Sequence, residues 1–392
     1  MPRWIFTLHA ICHVSRNEFR VLIKAIVRLR GQKNRPVALC PLSAQVDNRT
    51  FTAPVFRPGG LSVGFLFALL ISALTVSSAQ AEKNLKRPPG TTRYAVMVSR
   101  LNALAAYDKA HRGRMALSSL GESVQGRNLW MVTLHDPTAA PGKKIFYLCR
   151  QHGHEPASTE GALAFIDELV KAETPLAATV YVVPMANPDG SEAFLRHNAH
   201  DVDLNRDWLR RTQPETRALW AALERLHPDL VTDQHELYPD DTRPDFTETA
   251  GPGSGAGPEL IADCDDVQAV VQGALLAEGL PTASHWITDT HPARLAHRYG
   301  CVVAGLPTIL FETNRLTGNG RGVAARASAQ ERFMATILRD ETGGRDALMA
   351  EAAAWQAAHP RDMQRLASRH MLLPRTIVKP SAPTETPEKG TD

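Results

Sequence analysis

A five-residue apolar run, residues 145–149 (IFYLC), constrains this 392-residue chain more than any other feature. Its side chains do not alternate between apolar and polar, so neither face of the strand they form meets water. Such a strand lies inside a sheet covered on both sides. The run ends in a dense polar cluster, residues 150–155 (RQHGHE), followed by a helical stretch that Ser158 is placed to cap and that runs to about Lys171. The pattern recurs. Residues 178–190 (ATVYVVPMANPDG) read as a buried strand emptying into an Asn-Pro-Asp-Gly turn, residues 214–227 as a helix, and residues 228–239 (PDLVTDQHELYP) and 306–314 (LPTILFETN) as further strands. Upstream, residues 94–107 carry apolar side chains at helical intervals, and residues 115–136 read as two strands joined at Gln125-Gly126. Strands alternating with helices predict an α/β fold with a mixed, largely parallel central sheet flanked by helices. In such sheets ligands gather at the carboxyl ends of the strands.

Charge is unevenly placed. Residues 1–81 hold ten of the 44 Lys and Arg but two of the 41 Asp and Glu, so the remainder is net acidic. The basic balance belongs to the leader, and the body has no nucleic-acid signature. Arg57 precedes an apolar run over 61–76, and Ala79-Gln80-Ala81 has the small-x-small form of a cleavage site. This predicts a signal peptide cleaved after Ala81 and export, with the bacterial periplasm as destination and no stable membrane association afterwards. An uncleaved anchor is the alternative. A signal peptide begins close to its charged end, so residues 1–59 are expected to reflect a misassigned start, with an amphipathic targeting helix over 14–30 as the competing account. Residues 82–345 are expected to form the main folded domain and 346–392 a C-terminal helix and disordered tail. Helices are expected near 322–339 and 345–369, and the Gly/Pro-rich stretch 249–259 (TAGPGSGAGPE) is expected to be a loop. Five cysteines include Cys12 and Cys40 in the leader; Cys149, Cys264 and Cys301 have no zinc-finger spacing. Export would allow Cys264 to pair with Cys301, and buried free thiols are the alternative.

The polar strand ends carry the chemistry. A catalytic zinc site uses three His, Glu or Asp ligands and keeps a fourth position open. His152 and Glu155 can turn toward one point just beyond a strand, while the alternation of His152 with His154 makes that pair a second possibility on spacing alone. His235, closing the strand DLVTDQHE, is the natural third ligand. Glu312 ends a strand so apolar that its carboxylate is either a deliberate acid/base group or a cap at the solvent edge. Residues 194–208 (FLRHNAHDVDLNRDW) gather Arg196, suited to a developing oxyanion, with Asn205 and Arg206, suited to a carboxylate; a solvated ion-paired surface is the plainer reading. Asp203, and less so Asp233, suit a hydrogen bond to the outer nitrogen of a ligand histidine.

Taken in order, GESVQGR, HGHE, NPDG, RHN, DLNR, DQHE and ILFET resemble the zinc carboxypeptidase family, the M14 metallopeptidases, over roughly residues 121–339. The resemblance implies a carboxypeptidase-like fold (also described as phosphorylase/hydrolase-like) and one Zn2+ per chain held by His152, Glu155 and His235. It leaves His154 as the variable residue between the first two ligands. It further implies that Arg196 polarises the scissile carbonyl, Asn205 and Arg206 hold the substrate carboxylate, and Glu312 is the general acid/base. Asp207 departs from the family, which often has a second Asn there, and the tyrosine that covers substrate has two candidates, Tyr238 and Tyr299. The implied function is zinc-dependent hydrolysis of a peptide amide bond, at a C-terminus or in a cell-wall stem peptide. Two other functions compete: a zinc-dependent deacylase of N-acyl amino acids, and a non-catalytic receptor for peptide C-termini. Side-chain preference, which the pocket between 285 and 305 would set, and oligomeric state are not legible.

Overall fold

The computed structural model describes residues 85–140, 142–289, 295–315 and 322–368. The signal peptide, its cleavage site, the proposed misassigned start and the C-terminal tail all lie outside the described residues. No helix among the described residues is long and apolar enough to cross a membrane.

An eight-stranded mixed sheet organises the chain. In sequence order the strands are β1 (Met115–Glu122), β2 (Asn128–Leu134), β3 (Lys144–Cys149), β4 (Thr179–Val183), β5 (Leu230–Glu236), β6 (Phe246–Ala250), β7 (Ala283–Ile287) and β8 (Thr308–Thr313). They lie side by side in the order β1-β2-β4-β3-β5-β8-β6-β7. The central β4-β3-β5-β8 run is parallel throughout, as is β6-β7, while β1-β2, β2-β4 and β8-β6 are antiparallel.

Both faces of the centre are covered, which explains the unbroken run 145–149. Ile145, Tyr147 and Cys149 enter a core shared with α1 (Tyr94–His111), α2 (Ala157–Lys171), α5 (Pro258–Ala277) and α6 (Val323–Arg339). Phe146 and Leu148 point the other way, into a core with Trp208 and the Leu219 and Leu223 faces of α4 (Pro214–Leu226). Truncating a ring such as Phe146 to Ala in a core this closed typically costs about 3–5 kcal/mol.

Four local expectations are corrected. Ser158 does not cap α2: the N-cap is Pro156, Ser158 lies inside the first turn, and the buried amide of Ala157 donates instead to Glu236 Oε1 at 2.7 Å. A carboxylate from β5 does the capping, a contact that local sequence does not encode. The Asn-Pro-Asp-Gly stretch is the start of a short helix, α3 (Pro188–Ala193), with the Asn187 side chain accepting from Gly190 N. The helix expected over 345–369 is broken at His359, giving α7 (Arg345–Ala358) and α8 (Pro360–Ser368), because proline cannot continue the preceding hydrogen-bond ladder. Residues 249–250 and 258–259 of the expected loop belong to β6 and α5; the rest connects them.

Candidate metal centre

Immediately after β3 the chain turns at Arg150, whose φ of 57° is left-handed for a residue with a side chain. Its buried guanidinium holds the turn, with Nε and Nη2 donating to Gly153 O at 3.1 and 3.0 Å and Nη1 to Thr92 O at 3.2 Å. Gly153 is required by close approach: a Cβ there would come within 2.0 Å of the Gly190 carbonyl carbon. The Asn187 side chain then ties the turn to the next segment, Nδ2 donating to Gln151 O at 3.1 Å and Arg196 O at 3.2 Å. Asp189 is in turn gripped by the 121–127 turn, accepting from Ser123 Oγ (2.8 Å), Gln125 N (2.9 Å) and Arg127 Nη1 (2.6 Å). Motifs that are separate in the sequence are one hydrogen-bonded assembly in space.

That assembly aims His152 and Glu155 at His235. The potential ligand atoms of the three side chains all lie within 4.8 Å of one another. His152 Nδ1 is 2.8 Å from Glu155 Oε1, His235 Nδ1 is 2.9 Å from Glu155 Oε2, and the two Nδ1 atoms are 3.1 Å apart. On their outer edges His152 Nε2 meets Asp203 Oδ1 at 3.1 Å and His235 Nε2 meets Asp233 Oδ1 at 2.8 Å. Both aspartates thus take the supporting position, Asp233 no less than Asp203. With the outer Nε2 atoms turned to the aspartates, both Nδ1 atoms face the Glu155 carboxylate, and a cation bound between them would take their lone pairs. The donor set, two imidazoles and one carboxylate, suits zinc.

The surrounding charges agree. Burial opposes ionisation of Glu155, yet the His152 and His235 rings hold its carboxyl well below the usual range. Burial likewise opposes a charged His235, but Asp233 and Glu155 raise it well above an ordinary histidine. His154 is the contrast. It is fully buried, its ring nitrogens have no hydrogen-bond partner, and burial pushes its pKa down to about 2, so it stays neutral outside the ligand set.

Glu312 is directly opposite His235 in the β5–β8 register, which puts both side chains on one face of the sheet. Its Oε2 is enclosed and has no hydrogen-bond partner, and burial pushes the carboxyl up to about 7. Arg196 is braced by Asp203, Nε to Oδ2 at 2.9 Å, and its Nη1 is 3.8 Å from Glu155 Oε1. Asn205 is buried beside His235, Nδ2 lying 3.0 Å from His235 Nε2 and Oδ1 accepting from Ala296 N at 2.8 Å. Arg206 is exposed, with Nη1 donating to Asn205 O at 2.9 Å. Asp207 serves the backbone, accepting from Thr212 N at 3.0 Å, Gln213 N at 2.9 Å and the Thr216 hydroxyl ahead of α4. Of the two tyrosines, Tyr238 is at the centre's rim, its ring 5.3 Å from the Arg196 guanidinium carbon. Tyr299 is buried edge-on against Trp220.

Residues 101–237 match the family model described as zinc carboxypeptidase, Peptidase M14. Over that stretch the chain is similar to the zinc carboxypeptidases. A zinc carboxypeptidase of Saccharothrix mutabilis subsp. capreolus is 28% identical over 142 residues, 34% of this chain and 32% of that protein. Carboxypeptidase SOL1 of Arabidopsis thaliana is 33% identical over 123 residues, 26% of this chain and 25% of that protein. The chain therefore spans about a quarter to a third of the length of these curated relatives. Among solved structures, the metallo-carboxypeptidase of Burkholderia cenocepacia superposes with a TM-score of 0.53 at 24% identity, covering 62% of this chain and 68% of that one. Carboxypeptidase A of Helicoverpa armigera gives 0.51 at 16% identity, covering 71% and 81%. At these identities the likeness is one of fold, and the fold is that of the carboxypeptidases.

Several residues of this centre escape sequence reasoning. Gln151 stands inside the polar cluster 150–155 without any metal-binding signature, yet its Nε2 donates to Asp233 Oδ1 at 2.5 Å and its Oε1 accepts from Trp208 Nε1 at 2.6 Å. His297 is buried, with Nδ1 3.6 Å from Asp233 Oδ2 and Nε2 2.8 Å from Glu248 Oε2. Burial would discharge it, but Asp233 and Glu248 raise its pKa to about 9, so it supports Asp233 from behind as a cation. Nothing near position 297 in the sequence signals that role.

Proposed function

We propose that this chain is a zinc metallocarboxypeptidase that hydrolyses a peptide amide bond, at a C-terminus or within a cell-wall stem peptide. The observation that carries the reading is the convergence of His152 Nδ1, His235 Nδ1 and Glu155 on one point beside Glu312. His152, Glu155 and His235 would hold the zinc ion, one per chain. Zinc bound there supplies acidification of water and polarisation of a carbonyl. Glu312, enclosed and with an elevated pKa, takes the proton of the attacking water and returns it to the departing amine. Arg196, held in place by Asp203, places positive charge where the carbonyl oxygen becomes an anion. Arg206 offers an exposed guanidinium fork for the substrate carboxylate, with Asn205 next to it fixing the loop to the metal ligand. Export to the periplasm, proposed from residues 57–81, would give such an enzyme access to extracellular peptides.

The experiment is Glu312→Gln, assayed on a short peptide series and, beside it, on N-acyl amino acids. Removing a positioned acid/base group costs on the order of a hundredfold or more in rate, and zinc content should not change. Near-normal turnover in this variant would remove Glu312 from the mechanism. Turnover of N-acyl amino acids in preference to peptides would transfer the chain to the deacylase reading.

A further inference from the structure

Away from the metal centre, Cys264 of α5 and Cys301, in the helical turn Tyr299–Ala304 that precedes β8, meet with Ala250 in one apolar cluster. Their exposures are 0% and 1%. Both thiols are free and buried, and the Cys301 sulfur lies 3.2 Å from Thr308 O and 3.8 Å from Thr249 Oγ1. Both are set on constrained backbone. Cys264 is within a twenty-residue helix, and a Cβ on Gly300 would fall 2.1 Å from Thr308 Oγ1, so the turn is pressed against β8. The interaction between the two thiols lowers Cys301 below its ordinary value and raises Cys264, so one sulfur gains thiolate character beside a protonated partner. The turn's outer side is open, with Val303 53% exposed, so a small local opening admits a small oxidant. Cys149 differs: it is walled into the main core, and burial pushes its thiol up.

We propose that Cys264 and Cys301 are a disulfide-forming pair that fastens α5 to the segment carrying His297 and Tyr299. With a peroxide as oxidant, the Cys301 sulfur attacks one peroxide oxygen, the O–O bond breaks, and the departing oxygen leaves as water. Cys301 is then a sulfenic acid. The Cys264 sulfur attacks it, the S–S bond forms, the S–O bond breaks, and the hydroxyl leaves with the Cys264 proton as a second water. The thiols lose two electrons and two protons, and one peroxide becomes two waters. The bridge ties down the segment whose Ala296 amide holds Asn205 and whose His297 holds Asp233.

The full-length protein is exposed to hydrogen peroxide, unfolded in an alkylating reagent, digested and weighed. The result expected is a peptide pair joined through Cys264 and Cys301, with Cys149 alkylated and the bridge reversed by dithiothreitol. Oxidised protein should melt above reduced protein by on the order of 5 °C or more, since the bridge closes the loop between the two cysteines. The shift should vanish in Cys264→Ser and in Cys301→Ser. Recovery of both thiols alkylated after oxidation, or a bridge from either one to another cysteine, overturns the proposal; this mass measurement uses the wild-type protein and does not depend on either variant folding.

Discussion

His235 and Glu236 are neighbours at the end of β5, and they point into two buried polar clusters of opposite character. Glu236 faces the helices. It accepts from Ala157 N at 2.7 Å at the start of α2 and from Arg326 Nε at 2.5 Å on α6, so its charge is matched by a buried cation and a helix N-terminus. His235 faces the other side, where two Nδ1 atoms and a carboxylate converge. Close by, the Glu312 Oε2 has no partner. One cluster is internally satisfied and therefore structural; the other gathers groups that a cation would complete, so we propose that adjacent positions on one strand divide stability from function.

Substitution at the two neighbours should separate those properties, and the largest effect belongs to His235→Ala. It should abolish stoichiometric zinc binding and bring peptide hydrolysis to background while the protein stays folded by circular dichroism. Glu236→Ala should do the reverse. Removing one member of a buried ion pair typically costs about 3–5 kcal/mol, read by urea denaturation, while the folded fraction keeps its zinc. If Glu236→Ala loses zinc at unchanged stability, the division drawn here is wrong.

The smallest effect concerns pH. Glu312 holds its proton in the fold to about pH 7 but would release it near its ordinary 4.5 when unfolded. Its folded pKa is raised, so in zinc-free protein its ionisation opposes folding: stability falls as pH rises from 4.5 to 7, by up to about 1.4 kcal/mol per unit, and is level outside that window. Urea unfolding of zinc-free Glu312→Gln should show a variant more stable than wild type above pH 7 and equal to it below 4.5. Parallel pH profiles for the two proteins would mean that Glu312 is solvated.

Legibility in the sequence followed the same division. The strands, and the three side chains that meet at the centre, were readable because each is announced locally: unbroken apolar runs specify strands covered on both faces, and the HGHE and DQHE ends sit where such strands stop. Strands β6 and β7 and helix α5 were missed. Residues 246–250 mix Phe and Ala with Thr and Glu, so neither alternation nor an apolar run marks them as part of the sheet. Supporting contacts were missed for another reason. Glu236 capping α2, Gln151 bridging Trp208 to Asp233, and His297 backing Asp233 join residues dozens of positions apart, and no spacing rule reaches that far.

Zinc content is the measurement that bears most directly on the centre. Purified protein reconstituted with zinc and freed of excess should carry about one zinc per chain by elemental analysis, and the His152→Ala, Glu155→Ala and His235→Ala variants should each carry little or none. Wild-type protein that retains no zinc, or a full complement surviving in all three variants, would contradict the account.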